Sequence, residues 1–188
     1  MTKRYRTNPI LDIKISPFQP NIYASSYEDG YVKLWDRRNT STPVVQGFIH
    51  KKNRATCLEW HPTRSGILAS GGNYKVKIWN TNYWTSEHSG TKVSIHLQSQ
   101  ALSVHWREGH DDMIATVEDD LPGARKSKIH MWNIRRPRFP VSTISLPYNH
   151  VSCFDWVNSE CIASCSGKSK KLSLCSVQNA SFPYKEFP

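Results

Sequence analysis

Eight histidines, five cysteines and two Arg-Arg pairs are the side chains of this 188-residue chain best equipped for chemistry. Histidine can ligate a metal or move a proton near neutral pH, but both uses need partners at set spacings. His50 and His150 stand between apolar stretches, His61 precedes Pro62, and His105 and His130 alternate with apolar neighbours. No two of them have helical metal-ligand spacing, and no glycine-rich phosphate loop or nucleophile elbow is present. Cys161 and Cys165 are separated by a three-residue gap with no matching second pair, so a tetrahedral zinc site is not expected. With Cys57, Cys153 and Cys175 they are read as the reduced, buried, small apolar strand residues of an intracellular protein. No catalytic residue, cofactor or metal is therefore expected. Arg37-Arg38 and Arg135-Arg136 remain: a guanidinium offers a rigid fork of donors to a carboxylate, which suits an acidic protein surface.

Both arginine pairs lie just behind the same kind of element. Residues 32–36 read Val-Lys-Leu-Trp-Asp, 76–80 Val-Lys-Ile-Trp-Asn, 129–133 Ile-His-Met-Trp-Asn and 172–176 Leu-Ser-Leu-Cys-Ser. Their fourth members, Trp35, Trp79, Trp132 and Cys175, are 44, 53 and 43 residues apart. A period of that size signals a repeat architecture. A second register precedes each marker: Ile15, Trp60, Trp106 and Trp156 are the third members of segments that alternate apolar and polar residues, the mark of a half-buried strand. Between the two registers lies a small, apolar strand each time, at 22–26, 67–70, 114–117 and 162–165. Turn residues follow, Glu28-Asp29-Gly30 in the first unit and Gly71-Gly72-Asn73 in the second. The longer third interval is explained by a polar, breaker-containing loop at 121–127. Fourth strands are placed at 44–48, 93–97 and 141–144, and two prolines weaken a counterpart at 181–187.

The expected class is all-β: about four four-stranded antiparallel units, at residues 10–48, 49–97, 98–145 and 146–187. A basic arm at 1–9 precedes them, and 178–188 is a tail or the last outer strand. Seven Trp, eight Tyr and six Phe supply apolar surface for such sheets. The formal charge of +10 speaks to association rather than fold, whether with an acidic protein, nucleic acid or an anionic membrane surface. No stretch approaches the roughly 18 apolar residues of a membrane helix, and the basic N-terminus lacks a secretory apolar segment.

On these residues the chain resembles WD-repeat β-propellers, from about Ile10 to Val177. The resemblance implies a hydrogen-bonded structural network in each unit. The residues matching it are Ser25 (or Ser26), Asp29 and Trp35 in the first unit, His50, Ser70 and Trp79 in the second, Trp132 in the third and His150 in the fourth. Asn73 stands near the expected Asp, and Cys175 replaces Trp. Propellers of this kind are non-catalytic scaffolds, and four units with decaying markers imply an open or incomplete one. Open sheets expose strands that another chain, or a missing part of the same chain, can cover.

Finer likeness lies in Tyr23 to Gly30 with Leu34-Trp35-Asp36-Arg37-Arg38, in Cys57 to Pro62 with Ile67 to Gly72, and in Ile129 to Pro137. In that order these segments resemble the WD-repeat subunits of the SEA complex, the fungal counterpart of the second GATOR subcomplex, which regulates TOR signalling at the vacuole or lysosome. That resemblance implies partners within a multi-subunit complex and a cytoplasmic location, peripheral to that membrane. Two rival readings stand. Trp35-Asp36-Arg37-Arg38 fits the Trp-Asp-x-Arg box of substrate receptors for cullin-type ubiquitin ligases. RNA association would require exposed aromatics beside basic residues, for which Tyr74-Lys75 and Tyr83-Trp84 are the candidates.

Overall fold

Period-two alternation drives each short segment into a strand with one buried face, and the turn residues between them return the chain antiparallel. The computed structural model describes residues 8–50, 53–85, 91–119 and 126–177. Most of the basic arm, most of the 121–127 loop and the whole of 178–188, including the weak strand at 181–187, lie outside the described residues.

In the first unit β1 (Ile10–Ile15), β2 (Ile22–Tyr27), β3 (Tyr31–Asp36) and β4 (Val45–Phe48) pair in chain order as one four-stranded antiparallel sheet. Gly30, with φ of 87°, makes the β2–β3 turn. A Cβ there would fall on the carbonyl oxygens of His50 and Asn53, so only glycine fits. The second and third units share a six-stranded sheet built from β5 (Ala55–Trp60), β6 (Ile67–Asn80), β7 (Thr91–Trp106), β8 (Met113–Glu118), β9 (Lys128–Asn133) and β10 (Ser142–Ser145).

Two of those strands each serve as two. The ends of β6 meet where Thr81 N–H donates to Gly66 O at 2.7 Å, and Tyr74 is left-handed at its middle (φ 60°), so β6 doubles back as a hairpin. The first part of β7 pairs with β6 as the outer strand of the second unit, and its second part pairs with β8 as the inner strand of the third. Among the described residues the fourth unit comprises β11 (Cys153–Asn158), β12 (Cys161–Ser166) and β13 (Lys171–Ser176). A single 3-10 turn, Thr81–Tyr83, is the helical element among the described residues.

Three apolar clusters lie between successive units. Ala24, Val32 and Leu34 pack with Leu58, Trp60 and Trp79; Cys57, Ala69 and Ile78 with Val104, Trp106 and Ile114; Val117, Ile129 and Met131 with Phe154 and Ile162. Each unit therefore lends one face to each neighbour, as blades do. Among the described residues no sheet closes on itself. The outer face of the first unit shows Ile13 and Ile15, 52% and 69% exposed, and that of the fourth shows Leu172 and Leu174, 75% and 69% exposed. Elsewhere in the array the equivalents of such residues are covered by the next sheet.

Candidate functional site

Every unit carries a buried hydroxyl at the fourth position of its second strand, and the network is built on it. Ser25 accepts from Trp35 Nε1 at 2.8 Å and donates to Tyr27 Oη at 3.3 Å. Ser70 Oγ lies 3.0 Å from His50 Nε2, and Thr116 Oγ1 accepts from Trp132 Nε1 at 2.9 Å. In the fourth unit Ser164 Oγ bonds Tyr148 Oη at 2.7 Å. All four hydroxyls are at most 1% exposed, so each would cost free energy without its partner.

The remaining network residues are placed differently from the family pattern. Trp79 is fully buried edge-on to Trp84, and its Nε1 has no hydrogen-bond partner among the described residues. The buried Ser26 hydroxyl likewise has none among them. Asp29 is exposed, and its carboxylate accepts from Tyr31 N–H within its own turn. In the fourth unit Tyr148, two residues before His150, reaches the strand hydroxyl; His150 occupies a left-handed turn (φ 59°). Thr116, Ser164 and Tyr148 are absent from the sequence reading, although the recurring hydroxyl at one strand position is a signal that could have found Thr116 and Ser164. Burial pushes the His50 imidazole down to about 4, with Lys77 adding to the effect, so the ring is neutral at physiological pH.

Two further sets of bonds repeat. The residue after each third strand donates its amide to the residue before the second strand: Arg37 to Asn21 (2.8 Å), Thr81 to Gly66 (2.7 Å), Ile134 to Asp112 (2.9 Å) and Val177 to Glu160 (2.8 Å). These ties put the two kinds of loop side by side and create one rim common to all four units. Inner strands are also joined across units: Trp60 Nε1 donates to Lys14 O at 3.0 Å and Trp106 Nε1 to Glu59 O at 3.3 Å. Trp156, the next in register, is buried at Nε1 with no partner among the described residues.

The candidate arginines sit on that rim, in the first and third units rather than in one cluster. Arg37 Nε bonds Asn21 Oδ1 at 2.6 Å, and Arg38 forks onto Asp36 at 2.6 Å (Nη2–Oδ2) and 2.9 Å (Nε–Oδ1). The Arg38 fork holds the Asp36 carboxyl down at about 2. Arg135 Nε meets Asp112 Oδ2 at 2.6 Å, and Arg64 Nη1 meets the other oxygen of the same carboxylate at 3.1 Å. Asp112 thus links the second unit to the third, an organising role that its sequence context does not reveal. Arg136 is exposed, with its amide closing a turn onto Asn133 O. The side chains of Arg38 and Arg135 remain 71% and 74% exposed, so each still presents donors to solvent while one edge is held.

Between the first and second units the same rim opens into a cavity of about 660 Å³. Gln19, Pro43, Val45 and Asn82 line it, with Trp60 and Trp84 at its base. Of the aromatics considered for stacking on bases, Tyr74 and Tyr83 are exposed, but Trp84 is 7% exposed and packed on Trp79. That burial removes Trp84 from any stacking platform.

The comparisons with known proteins agree with this geometry. The family described as "WD domain, G-beta repeat" matches residues 2–36 and 43–80. The chain carries WD40 repeats. Beyond those two matched repeats, the hydroxyls, rim ties and inter-unit cores extend the same plan to residue 177. Among curated relatives, chicken (Gallus gallus) protein transport protein Sec31A is 26% identical over 99% of this chain and 15% of its own length. GATOR2 complex protein WDR24 is 27% identical in Xenopus laevis, over 73% of this chain and 17% of the relative. Its human form is 25% identical over 90% of this chain and 21% of the relative. The chain thus spans about a fifth or less of these relatives. Among solved structures, a chain of the COPII outer coat vertex on membranes superposes with a TM-score of 0.76 at 18% identity, covering 94% of this chain and 49% of that one. A chain of the mitotic checkpoint complex gives 0.71 at 17% identity, covering 89% and 49%. These likenesses establish the propeller-type fold. The matched family is one of scaffolds, and the matches indicate no catalytic family.

Proposed function

We propose that this chain is a non-catalytic scaffold whose repeats assemble with other protein subunits as a SEA- or GATOR2-like component of TOR regulation. The observation that carries this reading is the alignment with GATOR2 WDR24 across 90% of the chain. The rim supports it: four units fixed by the same amide tie hold their arginines on rigid backbone, which limits the entropy lost on docking. Arg38 and Arg135 each keep an exposed edge for an acidic partner while Asp36 and Asp112 set their direction. On this reading the protein is cytoplasmic and peripheral to the vacuolar or lysosomal membrane.

A second reading has its own observation. Sec31A aligns over 99% of the chain, and a COPII coat chain shares its fold, which favours a vesicle-coat subunit. The ubiquitin-ligase reading ranks lower, because its box is complete at Trp35-Asp36-Arg37-Arg38 and only partly matched at Trp132-Asn133-Ile134-Arg135. Affinity purification from the native host separates them. Co-purifying SEA- or GATOR2-type subunits support the first reading and coat subunits the second. Ligase adaptors without either would overturn both. Reversing the charge of Arg37, Arg38, Arg135 and Arg136 together is expected to lower recovery at least tenfold, while recovery unchanged by that variant removes the rim from the account.

A further inference from the structure

One feature of the fourth unit lies outside the scaffold reading. Strands β11 and β12 run antiparallel in a register that sets Cys153 directly opposite Cys165. Their sulfurs are 3.1 Å apart, in contact. Directly opposed residues of an antiparallel pair have Cα atoms roughly 4.5–5.5 Å apart, inside the span a disulfide bridges. Cys153 is exposed and Cys165 half-buried, so a small reagent can reach the first thiol while the second waits beside it.

The other cysteines lack that arrangement. Cys57 is buried, and burial pushes its thiol up to about 12, which leaves it inert. Cys161 faces Ser176 and Cys175 faces Ile162, so neither has a thiol across the ladder.

We infer that Cys153 and Cys165 form a reversible thiol–disulfide site, oxidised by exchange with a low-molecular-weight disulfide of the glutathione class to a bridge stapling β11 to β12. In the first step the Cys153 thiolate attacks one sulfur of the small disulfide. The small S–S bond breaks, a mixed disulfide forms, and one small thiolate leaves and takes up a proton. The Cys165 thiolate then attacks the Cys153 sulfur and expels the second small thiol. Two protein thiols are oxidised by two electrons, and one small disulfide is reduced to two thiols. The geometry gives each cysteine a separate task, Cys153 for entry and Cys165 for resolution.

Locally, the bridge would pin the beginning of β11 to the end of β12. That corner is otherwise held by Ser152 N–H to Cys165 O at 2.8 Å and by Gly167 N–H to Ser152 Oγ at 2.9 Å. The hydrogen bond that the Cys153 thiol donates to Cys165 raises it above its ordinary value, with burial adding to it, so exchange is slow at neutral pH and quickens in mild alkali.

The test is direct. The reduced protein is titrated with oxidised glutathione at about pH 8, quenched by alkylation and mapped by mass spectrometry. A peptide pair linked through Cys153 and Cys165 is expected, reversed by dithiothreitol, with Cys57 still alkylated after unfolding. Cys165→Ser is expected to stop at the mixed disulfide on Cys153, and Cys161→Ser and Cys175→Ser to leave the link unchanged. The inference is overturned if the wild-type protein, which needs no substitution to be mapped, keeps both thiols alkylatable at every ratio. It is overturned equally if Cys153 holds glutathione without resolving, or if the bridge forms to Cys161 or Cys175.

Discussion

Acid should weaken this fold through His50, and by a calculable amount. Its ring is 4% exposed, hydrogen-bonded to Ser70, and held neutral down to about 4 instead of the 6.5 of a free imidazole. Unfolding returns the ring to water. Between pH 6.5 and 4 the unfolded chain therefore binds one proton that the folded chain refuses. Stability then rises with pH through that window. The contribution is complete above about pH 6.5 and is lost as the pH falls towards 4. At 1.36 kcal/mol per tenfold change in proton affinity, the loss is about 2 kcal/mol by pH 5 and about 3 kcal/mol by pH 4. Other histidines, the half-buried His130 among them, titrate in the same sense and would blur a measurement on the wild type alone. Comparison with His50→Gln isolates the one ring, since the amide can still meet the Ser70 hydroxyl but has no proton to gain. Urea midpoints followed by tryptophan fluorescence at pH 7.5, 6, 5 and 4.5 give the two curves. The wild type should fall more steeply, so that its advantage over the variant shrinks by about 2 kcal/mol between pH 6.5 and 5. A gap that stays constant across the series would falsify the claim that His50 is buried uncharged.

Three further outcomes follow from the same geometry. Trp132→Phe keeps the ring but strands the buried Thr116 hydroxyl, and should cost about 1–3 kcal/mol in chemical denaturation. Gly30→Ala combines a left-handed backbone (φ 87°) with a methyl driven onto two carbonyls, so a loss above about 2 kcal/mol is expected in thermal melts, with soluble yield as a second readout. Asp112→Asn removes the charge shared by Arg64 and Arg135 at an exposed rim, and should change the urea midpoint by no more than about 1 kcal/mol. If rim charge guides association, the same substitution leaves Arg135 unneutralised and should raise the on-rate for an acidic partner at low salt, an effect that fades as salt is added.

The rim shows where sequence reasoning stopped. Arg37 and Arg135 are recognisable as a repeated pair because they follow equivalent strands. Asp112 is not: it sits 23 residues before Arg135, in a loop of no regular pattern, and only the amide tie from Ile134 brings the two loops together. Tyr148 is similar, since nothing in its neighbourhood distinguishes it from His150 as the partner of a strand hydroxyl. Trp84 shows the opposite error. An aromatic next to Tyr83 in a polar stretch reads as exposed, yet it is the lid on Trp79 and lies against Gly47, where any Cβ would collide with its ring.

Local order was written in the chain itself. Period-two alternation, punctuated by glycine and asparagine and recurring every 43 to 53 residues, determined strands, antiparallel returns and a repeated all-β plan, because each depends only on neighbours along the sequence. The tertiary structure decided which polar atoms meet. The Trp35, His50, Trp132 and Tyr148 partners of the strand hydroxyls, the Asp112 bridge and the facing thiols of Cys153 and Cys165 join residues 10 to 48 apart, and no local pattern encodes the burial that keeps His50 neutral. Their energies depend on distance and desolvation, and both exist only once the sheets have stacked.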